Sequence, residues 1–506
     1  MPRFNRVRDC DMKGALAVAA FTIAITGAPR ALAEGFDPFS VHLQVSKFWA
    51  TAKGTEEPLV DPCQFDAVGA RVGLVEVVER ALCHNPKTRY AWANAKAQAG
   101  VLGVREAAYL PTISAGLAVA KQDNKTEYAD ITGYPYSAFN TEAKPKVRSG
   151  TLKMSWVLTD FGLRSSNVSQ ARALLDAANA THDATLQTAF VEAAQSYFDT
   201  LTAMASLEAK REVENAARES FLAAEAKYKA GVGGLTDKLQ ASTAYGQAKL
   251  ERVGAEGDLK NAKGSLASAM GLEVTTDFDL VRPADELPDT TFIKPIDELI
   301  AEARKVHPAL SAAQAEVKAA QANVEATRAE GRPTVTLASE FSKGEQLNQP
   351  PSIGYPPTDI TSTNFSVGVQ VNIPLFEGFG RTYRVRTAQS QVEAKQADYA
   401  RIEQEVLLDV WRNYQVFTAE NEGLKTADEL VKNARDSYKI ARGRYKAGVG
   451  NIVELLNVQS AMAKAEQQRI KSISNWHSAR LKVAASVGRI GMWAIAGLAG
   501  DGAGKP

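Results

Sequence analysis

The hydrophobic pattern of the chain changes period several times, and it changes in the same order twice. Residues 87–110 and 309–331 are Ala-, Gln- and Lys-rich with apolar positions at helical spacing. Each run is entered after a proline (Pro86, Pro308) and stopped by another (Pro111, Pro333). Proline suits the first helical turn, where its missing N–H costs nothing, and it blocks continuation further on. Past these stops the period becomes two. Ile113, Ala115, Leu117 and Val119 alternate with Thr112, Ser114, Gly116 and Ala118, and Leu152, Met154, Trp156 and Leu158 with Thr151, Lys153 and Ser155. In the second half, Val335, Leu337 and Phe341 alternate with Thr336, Ala338 and Glu340, and Phe365, Val367, Val369, Val371 and Ile373 with Asn364, Ser366, Gly368, Gln370 and Asn372. Proline-free helical runs follow at 163–230 and 381–447; in the second, Val385, Val392, Tyr399 and Val406 recur every seven residues, the coiled-coil period. At ~1.5 Å per residue such runs make helices of roughly 100 Å, too long for a globular core, so a sheath of packed helices is expected. Return helices are expected over 236–270 and 452–487.

Short motifs keep the same spacing. Residues 228–233 read YKAGVG and residues 445–450 read YKAGVG again, 217 positions on. Pro86 pairs with Pro308 and Pro111-Thr112-Ile113 with Pro333-Thr334-Val335 at an offset of 222; Phe161-Gly162 pairs with Phe379-Gly380 at 218 and Tyr197 with Tyr414 at 217. Ordered landmarks with small drifts indicate two copies of one unit. The expected organisation is a segment at 34–70, a first repeat over 71–282, a Pro-rich linker over 283–295, a second repeat over 296–488 and a tail over 489–506.

Alternation of apolar with polar or small residues over about ten positions is the signature of a barrel strand with lipid on one side and water on the other. A half-buried strand of a soluble sandwich gives the same pattern. If the four strands cross a membrane, open edges cannot persist in lipid and the sheet must close with strands of other chains. Three chains would give a barrel of 12 strands. Residues 122–148 and 344–362, rich in Tyr and Pro, read as long polar surface loops or as disordered linkers.

Composition narrows the partners. With 59 Lys and Arg against 58 Asp and Glu, the chain has no basic footprint for nucleic acid. His42, His84, His182, His307 and His477 lie at no metal-ligand spacing, and no phosphate loop or nucleophile motif occurs, so no enzyme, metal or cofactor is indicated. Residues 14–28 form an apolar core behind Arg3, Arg6, Arg8 and Lys13 and before Ala31-Leu32-Ala33, which reads as a secretory signal over 1–33 cleaved between Ala33 and Glu34. That core is short of the ~20 residues needed to span a bilayer. Met12, before Lys13, is an alternative start. No Cys stands at the cleavage site for lipid attachment; Cys63 and Cys83 remain after processing, as a disulfide in an oxidising compartment or as two buried thiols.

Element order and duplicated motifs together resemble the TolC family of outer-membrane exit ducts across nearly the whole mature chain. The resemblance implies a mixed α/β membrane protein: a homotrimer with a 12-stranded outer-membrane β-barrel, four strands per chain, continued by a periplasmic α-helical coiled-coil tunnel. The tunnel is expected to stay closed at its tip until a periplasmic adaptor and an inner-membrane ABC transporter or proton-driven pump engage. Cys83-His84-Asn85-Pro86 with upstream Cys63 resembles the type I secretion branch, the CyaE-like exporters of RTX toxins and proteases. A multidrug or metal efflux duct of the same fold is the alternative, and a trimeric coiled-coil surface protein is the rival of a different class.

By the same resemblance the tunnel entrance lies at the turns after the long helices. Glu454 and Asn457 stand where the family has its entrance carboxylates, Asp237 is the first copy's equivalent of Glu454, and Tyr445 and Tyr228 flank the turns. Three Glu454 side chains around one axis would raise one another's pKa and attract cations, whereas a lone Glu454 is a solvated carboxylate favoured by its helix dipole. Gly450 replaces an Arg that latches this turn in the best-known member, so closure is expected to rest more on packing than on ion pairing. Gly231-Val232 and Gly448-Val449 are implied as the adaptor-docking tip, and the glycines equally suit helix C-caps.

Overall fold

The computed structural model describes residues 37–46, 63, 71–128, 139–281, 294–349 and 358–488. The signal segment with Ala33 and Glu34, most of the linker, the tips of both surface loops and the tail lie outside these residues.

Eight helices and eight strands follow one another among the described residues. They are β1 (Arg71–Val72), α1 (Leu74–His84), α2 (Pro86–Ala107), β2 (Thr112–Lys121), β3 (Asn124–Tyr128), β4 (Phe139–Ala143), β5 (Lys146–Thr159), α3 (Leu163–Lys229), α4 (Leu235–Ala269), β6 (Asp279–Leu280), α5 (Ile296–Val306), α6 (Pro308–Ala329), β7 (Thr334–Gln349), β8 (Thr358–Asn372), α7 (Gly380–Lys446) and α8 (Ile452–Val487). The duplication is written in the backbone. α1 and α5 both have 11 residues, α2 and α6 both have 22, and α3 and α7 both have 67. The strand-to-helix turns hold Phe161 and Phe379 at φ 52° and 65°, a left-handed conformation rare for an aromatic residue, and both copies use it.

Two expectations are corrected here. The single helix before each strand pair is two helices, because α1 and α5 precede Pro86 and Pro308, which sit at the first position of α2 and α6. Asn85 and the His307 ring cap those second helices, accepting from the Lys87 and Ala309 amides. The described residues of the expected loop at 122–148 are largely strand: β3 and β4 pair as a hairpin and β5 already starts at Lys146, while β7 runs to Gln349. Their sequences, NKTEY and FNTEA, carry no run of apolar alternation, so the period-two signal is absent.

The main sheet is antiparallel with order β2-β5-β7-β8, leaving β2 and β8 as edges. Opposed residues share a face, and the register sorts the two faces. One carries Ile113–Met154–Ser339–Val367 and Ala115–Leu152–Phe341–Phe365 in successive rows; the other carries Ser114–Lys153–Glu340–Ser366 and Gly116–Thr151–Ser342–Asn364. Lys153 and Glu340 pair at 3.6 Å on the polar face. No helix among the described residues is long and apolar enough to cross a membrane.

Around the middle of α3, Val77, Val78, Phe190, Tyr197, Phe198, Leu266 and Met270 pack into the largest buried cluster among the described residues. The parallel pair β1-β6 closes over it, and the Tyr197 hydroxyl donates to the Val281 carbonyl. Each return helix ends in a left-handed glycine pressed onto the α1–α2 or α5–α6 corner: Gly271 (φ 73°) on His84 and Gly488 (φ 84°) on His307. The segment before β1 makes a 3-10 turn (Val41–Gln44) whose Val41 is buried with Leu102 and Leu175. Cys63 and Cys83 are disulfide-bonded with Cα atoms 5.4 Å apart, tying that segment to α1.

Along α7 the heptad series continues beyond Val406, but displaced by four residues. Val410, Phe417, Leu424, Val431, Tyr438 and Tyr445 line one stripe, all but half-buried Tyr438 fully enclosed. A four-residue insertion in a heptad series locally unwinds a coiled coil.

Candidate functional site: the helical tip

The end of the helical portion farthest from the sheet is built from the two hairpin turns α3–α4 and α7–α8. Each turn closes on a left-handed glycine, Gly231 at φ 76° and Gly448 at φ 80°. The following amides return to the helix: Val232 N–H to the Lys227 carbonyl at 3.0 Å and Val449 N–H to the Arg444 carbonyl at 3.1 Å. These bonds satisfy carbonyls that a helix end otherwise leaves unpaired. Val232 and Val449 are left at the apex, 77% and 71% exposed, although each is apolar.

Gly450 has a steric reason. A Cβ there would sit 3.1 Å from the Arg444 Cβ and the Tyr445 nitrogen, and at Gly233 it would sit 2.9 Å from the Lys227 Cβ. The turn is so tightly closed in both copies that position 450 has little room for a side chain.

Beneath the turns, Ala224, Ala241, Ala441, Tyr445, Ile452 and Leu455 form a small core. The two tyrosines of the repeated motif part company. Tyr445 is 5% exposed within this core, while Tyr228 is 40% exposed with Lys238 above its ring. Burial raises the Tyr445 pKa, and the nearby negative charge of Asp237 adds to the effect, so the phenol stays protonated. Asp237 and Tyr445, from different repeats, are thus brought together.

Ion pairs also hold the tip within this chain. Arg444 reaches Glu454 at 3.0 Å across the α7–α8 turn. Glu454 is at the same time the residue whose amide donates to the Asn451 side chain at 2.7 Å, so the N-terminus of α8 is capped. The carboxylate is therefore paired within its own turn in the isolated chain. Arg442 joins Glu219 at 2.6 Å between the long helices, and Glu225 lies between Lys229 and Lys238 at 3.4 and 3.5 Å. The charge of Lys229, and then that of Lys238, lowers the Glu225 pKa. Asn457 is exposed on the next turn of α8, and its side chain makes no hydrogen bond among the described residues.

Lys227 and Arg444, each preceding the motif tyrosine, were not singled out from sequence. Lys227 lies 3.9 Å over the Tyr445 ring and bonds its carbonyl. The signal was available: basic residues in the last turn of a helix favour its carbonyl end, and these occupy equivalent places in both copies. Among the described residues no group of three or more His, Cys, Asp or Glu is placed to hold a metal ion.

Comparison with known proteins follows this geometry. The sequence model of the family described as outer membrane efflux protein matches residues 77–272 and 299–489, one span in each repeat. The protein CyaE of Bordetella pertussis is 30% identical over 428 residues, 84% of this chain and 86% of CyaE. The alkaline protease secretion protein AprF of Pseudomonas aeruginosa is 25% identical over 312 residues, 60% of this chain and 62% of AprF. Among solved structures, the Campylobacter jejuni CmeC outer membrane channel superposes with a TM-score of 0.69 at 14% identity, covering 82% of this chain and 85% of CmeC. Fold, repeat and sequence match agree: the chain belongs to the outer membrane efflux protein family, non-enzymatic outer-membrane channels of the TolC type with a large helical periplasmic portion.

Proposed function

We propose that this chain is the exit duct of a type I protein secretion system, working as a homotrimer with a periplasmic adaptor and an inner-membrane ABC transporter. The observation that carries the trimer is the sheet: four strands with one apolar face and two unpaired edges, β2 and β8. In lipid such edges must be closed, and three copies complete a barrel of about 12 strands. Each copy then contributes two helical hairpins to one tunnel. Similarity to CyaE along most of both chains, and to a protein named for protease secretion, supports polypeptide cargo over small molecules. The family's description as efflux protein keeps a drug or metal efflux duct as the second reading.

In this reading the α3–α4 and α7–α8 turns are the gate. Glu454, Asn457 and Asp237 with Tyr445 and Tyr228 line the entrance, and Gly231, Val232, Gly448 and Val449 meet the adaptor. Trimerisation surrounds one axis with three Glu454 carboxylates, each already held by its own Arg444.

The test is export. A deletion strain supplied with this chain should regain secretion of a repeat-containing toxin or protease encoded beside an ABC transporter and adaptor. Restored solvent or drug resistance without protein export would instead establish the efflux reading. Native mass of the detergent-solubilised protein should be three times that of the mature chain; a monomer or dimer would sink the barrel argument.

A further inference from the structure

The outer end of the sheet's apolar face carries a cluster of positive charge, and we propose that it binds the phosphate groups of the anionic glycolipid of the outer leaflet. The inference rests on the outer-membrane barrel reading, because it needs this face to meet lipid.

Rows of opposed residues locate the cluster. Starting near the helices, the apolar face reads Val335–Val371, then Trp156–Leu337–Val369, then Ile113–Met154–Ser339–Val367, then Ala115–Leu152–Phe341–Phe365. No charge interrupts these four rows. The next three reverse that character: Leu117–Gly150–Lys343–Thr363, Val119–Arg148–Glu345–Thr361 and Lys121–Lys146–Leu347. Four cations therefore stand within three rows on three neighbouring strands. All four are exposed.

Height places them at the head groups. From Val335 to Lys343 is eight residues, about 27 Å along the strand at ~3.4 Å each, or about 21 Å of membrane depth at a tilt of ~40°. Leu347 in the outermost row lies about 31 Å up by the same measure. The apolar band of such barrels is about 25 Å tall. Lys343 thus stands just inside the outer edge of the hydrocarbon, and Arg148, Lys121 and Lys146 stand beyond it on the side away from the helices, where the outer leaflet presents phosphate.

The cluster also lacks its counter-charge. Lys121 and Lys146 are directly opposite each other, an arrangement that disfavours the sheet unless an anion intervenes. None of Lys121, Lys146, Arg148 and Lys343 forms an ion pair among the described residues, although Glu345 is directly across from Arg148. Glu345 and Asp359 are the acidic residues opposite or beside these three rows, leaving them net positive; Asp123, one row further out, is paired with Lys144. On the polar face at the same height the rows read Ala118–Ser149–Gly344–Ser362 and Ala120–Val147–Gln346–Ile360, without any charge. Cations distributed merely for solubility would not avoid the water side and collect on the lipid side. A lipid phosphate reached by Lys121, Lys146 and Arg148 gains charge-assisted hydrogen bonds while its acyl chains lie on Leu117, Val119 and the rows below.

The experiment titrates the full-length trimer in neutral detergent with phosphorylated lipid A and with its dephosphorylated form, reading bound lipid by native mass spectrometry. The triple variant Lys121→Gln, Lys146→Gln, Arg148→Gln should weaken lipid A binding at least about tenfold and leave the dephosphorylated form unchanged. Lys153→Gln, on the polar face, should change neither. Equal lipid A affinity in the native protein and the triple variant, or equal loss for both lipids, would overturn the proposal. Arg148→Gln alone provides a milder variant should the triple substitution hinder assembly. Conductance of the same preparation in planar bilayers separates the two levels: a trimer that conducts but ignores the phosphates refutes this site only, whereas failure to conduct counts against the channel reading.

Discussion

Lys227 of the first repeat lies 3.9 Å over the ring of Tyr445 of the second and donates to its carbonyl at 3.0 Å. One side chain thereby pins the two tip hairpins of a subunit together. Lys227→Met keeps the aliphatic stem and removes the charge. Loss of the cation–π contact and the charged hydrogen bond should cost about 1–2 kcal/mol, roughly 5- to 30-fold in the ratio of closed to open tip. Single-channel recordings should show that rise as a higher open probability. An unchanged open probability would remove Lys227 from the gate.

Gly488 and Gly271 hold the ends of the return helices against the bundle corner. Gly488→Ala would place a Cβ 2.8 Å from the His307 Cα at φ 84°, and Gly271→Ala one 2.8 Å from the His84 carbonyl oxygen at φ 73°. Each should destabilise the protein by about 1–3 kcal/mol, since both strain and collision oppose the side chain. Gly246, inside α4 with nothing within 4 Å of an added Cβ, is the contrast. Gly246→Ala should be neutral or stabilising by up to ~1 kcal/mol. Urea midpoints of the three variants check the order.

His477 gives stability a pH dependence. Its ring stacks on Phe198 at 4.5 Å and meets Trp476 edge-on, and burial, with the charge of Arg480, lowers its pKa to about 4. The unfolded chain binds a proton near pH ~6.5 that the folded chain refuses until about pH 4. The contribution is therefore complete above the unfolded value and is lost as pH falls through that window, about 3 kcal/mol at most. His477→Phe should flatten the urea midpoint between pH 7 and pH 5, with a residual slope from His182 and His307, whose pKa values burial also lowers. An equal slope in the variant would show that His477 does not set it.

The Cys63–Cys83 bridge closes a loop of sequence separation 20. Chain entropy assigns such a crosslink about 3 kcal/mol. Cys63→Ser, and reduction of the native protein, should lower the thermal midpoint by the same amount. A reductant effect that persists in Cys63→Ser would mean the bridge is not its cause.

How much of this was legible in the sequence depends on how local the signal is. Strands β2, β5, β7 and β8 announce themselves because lipid and water demand strict alternation. The long helices do so because proline is absent for 67 residues. α1 was passed over even though Leu74, Val77, Val78 and Ala81 follow helical spacing, because Pro86 reads as a helix start and is one, but of the second helix. β3 and β4 carry Asn, Thr, Glu and Lys, and only their pairing makes them strands. At the tip, the glycines and tyrosines were visible as a repeat. The contacts of Lys227 and Arg444 were not, since they depend on which hairpin folds beside which.

The four-residue step between Val406 and Val410 bears on how force travels through the molecule. Below it, the stripe from Val410 to Tyr445 sets the winding of the tip half of α7; above it, Val385 to Val406 sets a separate phase nearer the sheet. The coiled coil is expected to be locally unwound at the step. On the proposed gating reading, opening at the tip would leave the strand-bearing half of α7 in its own winding phase.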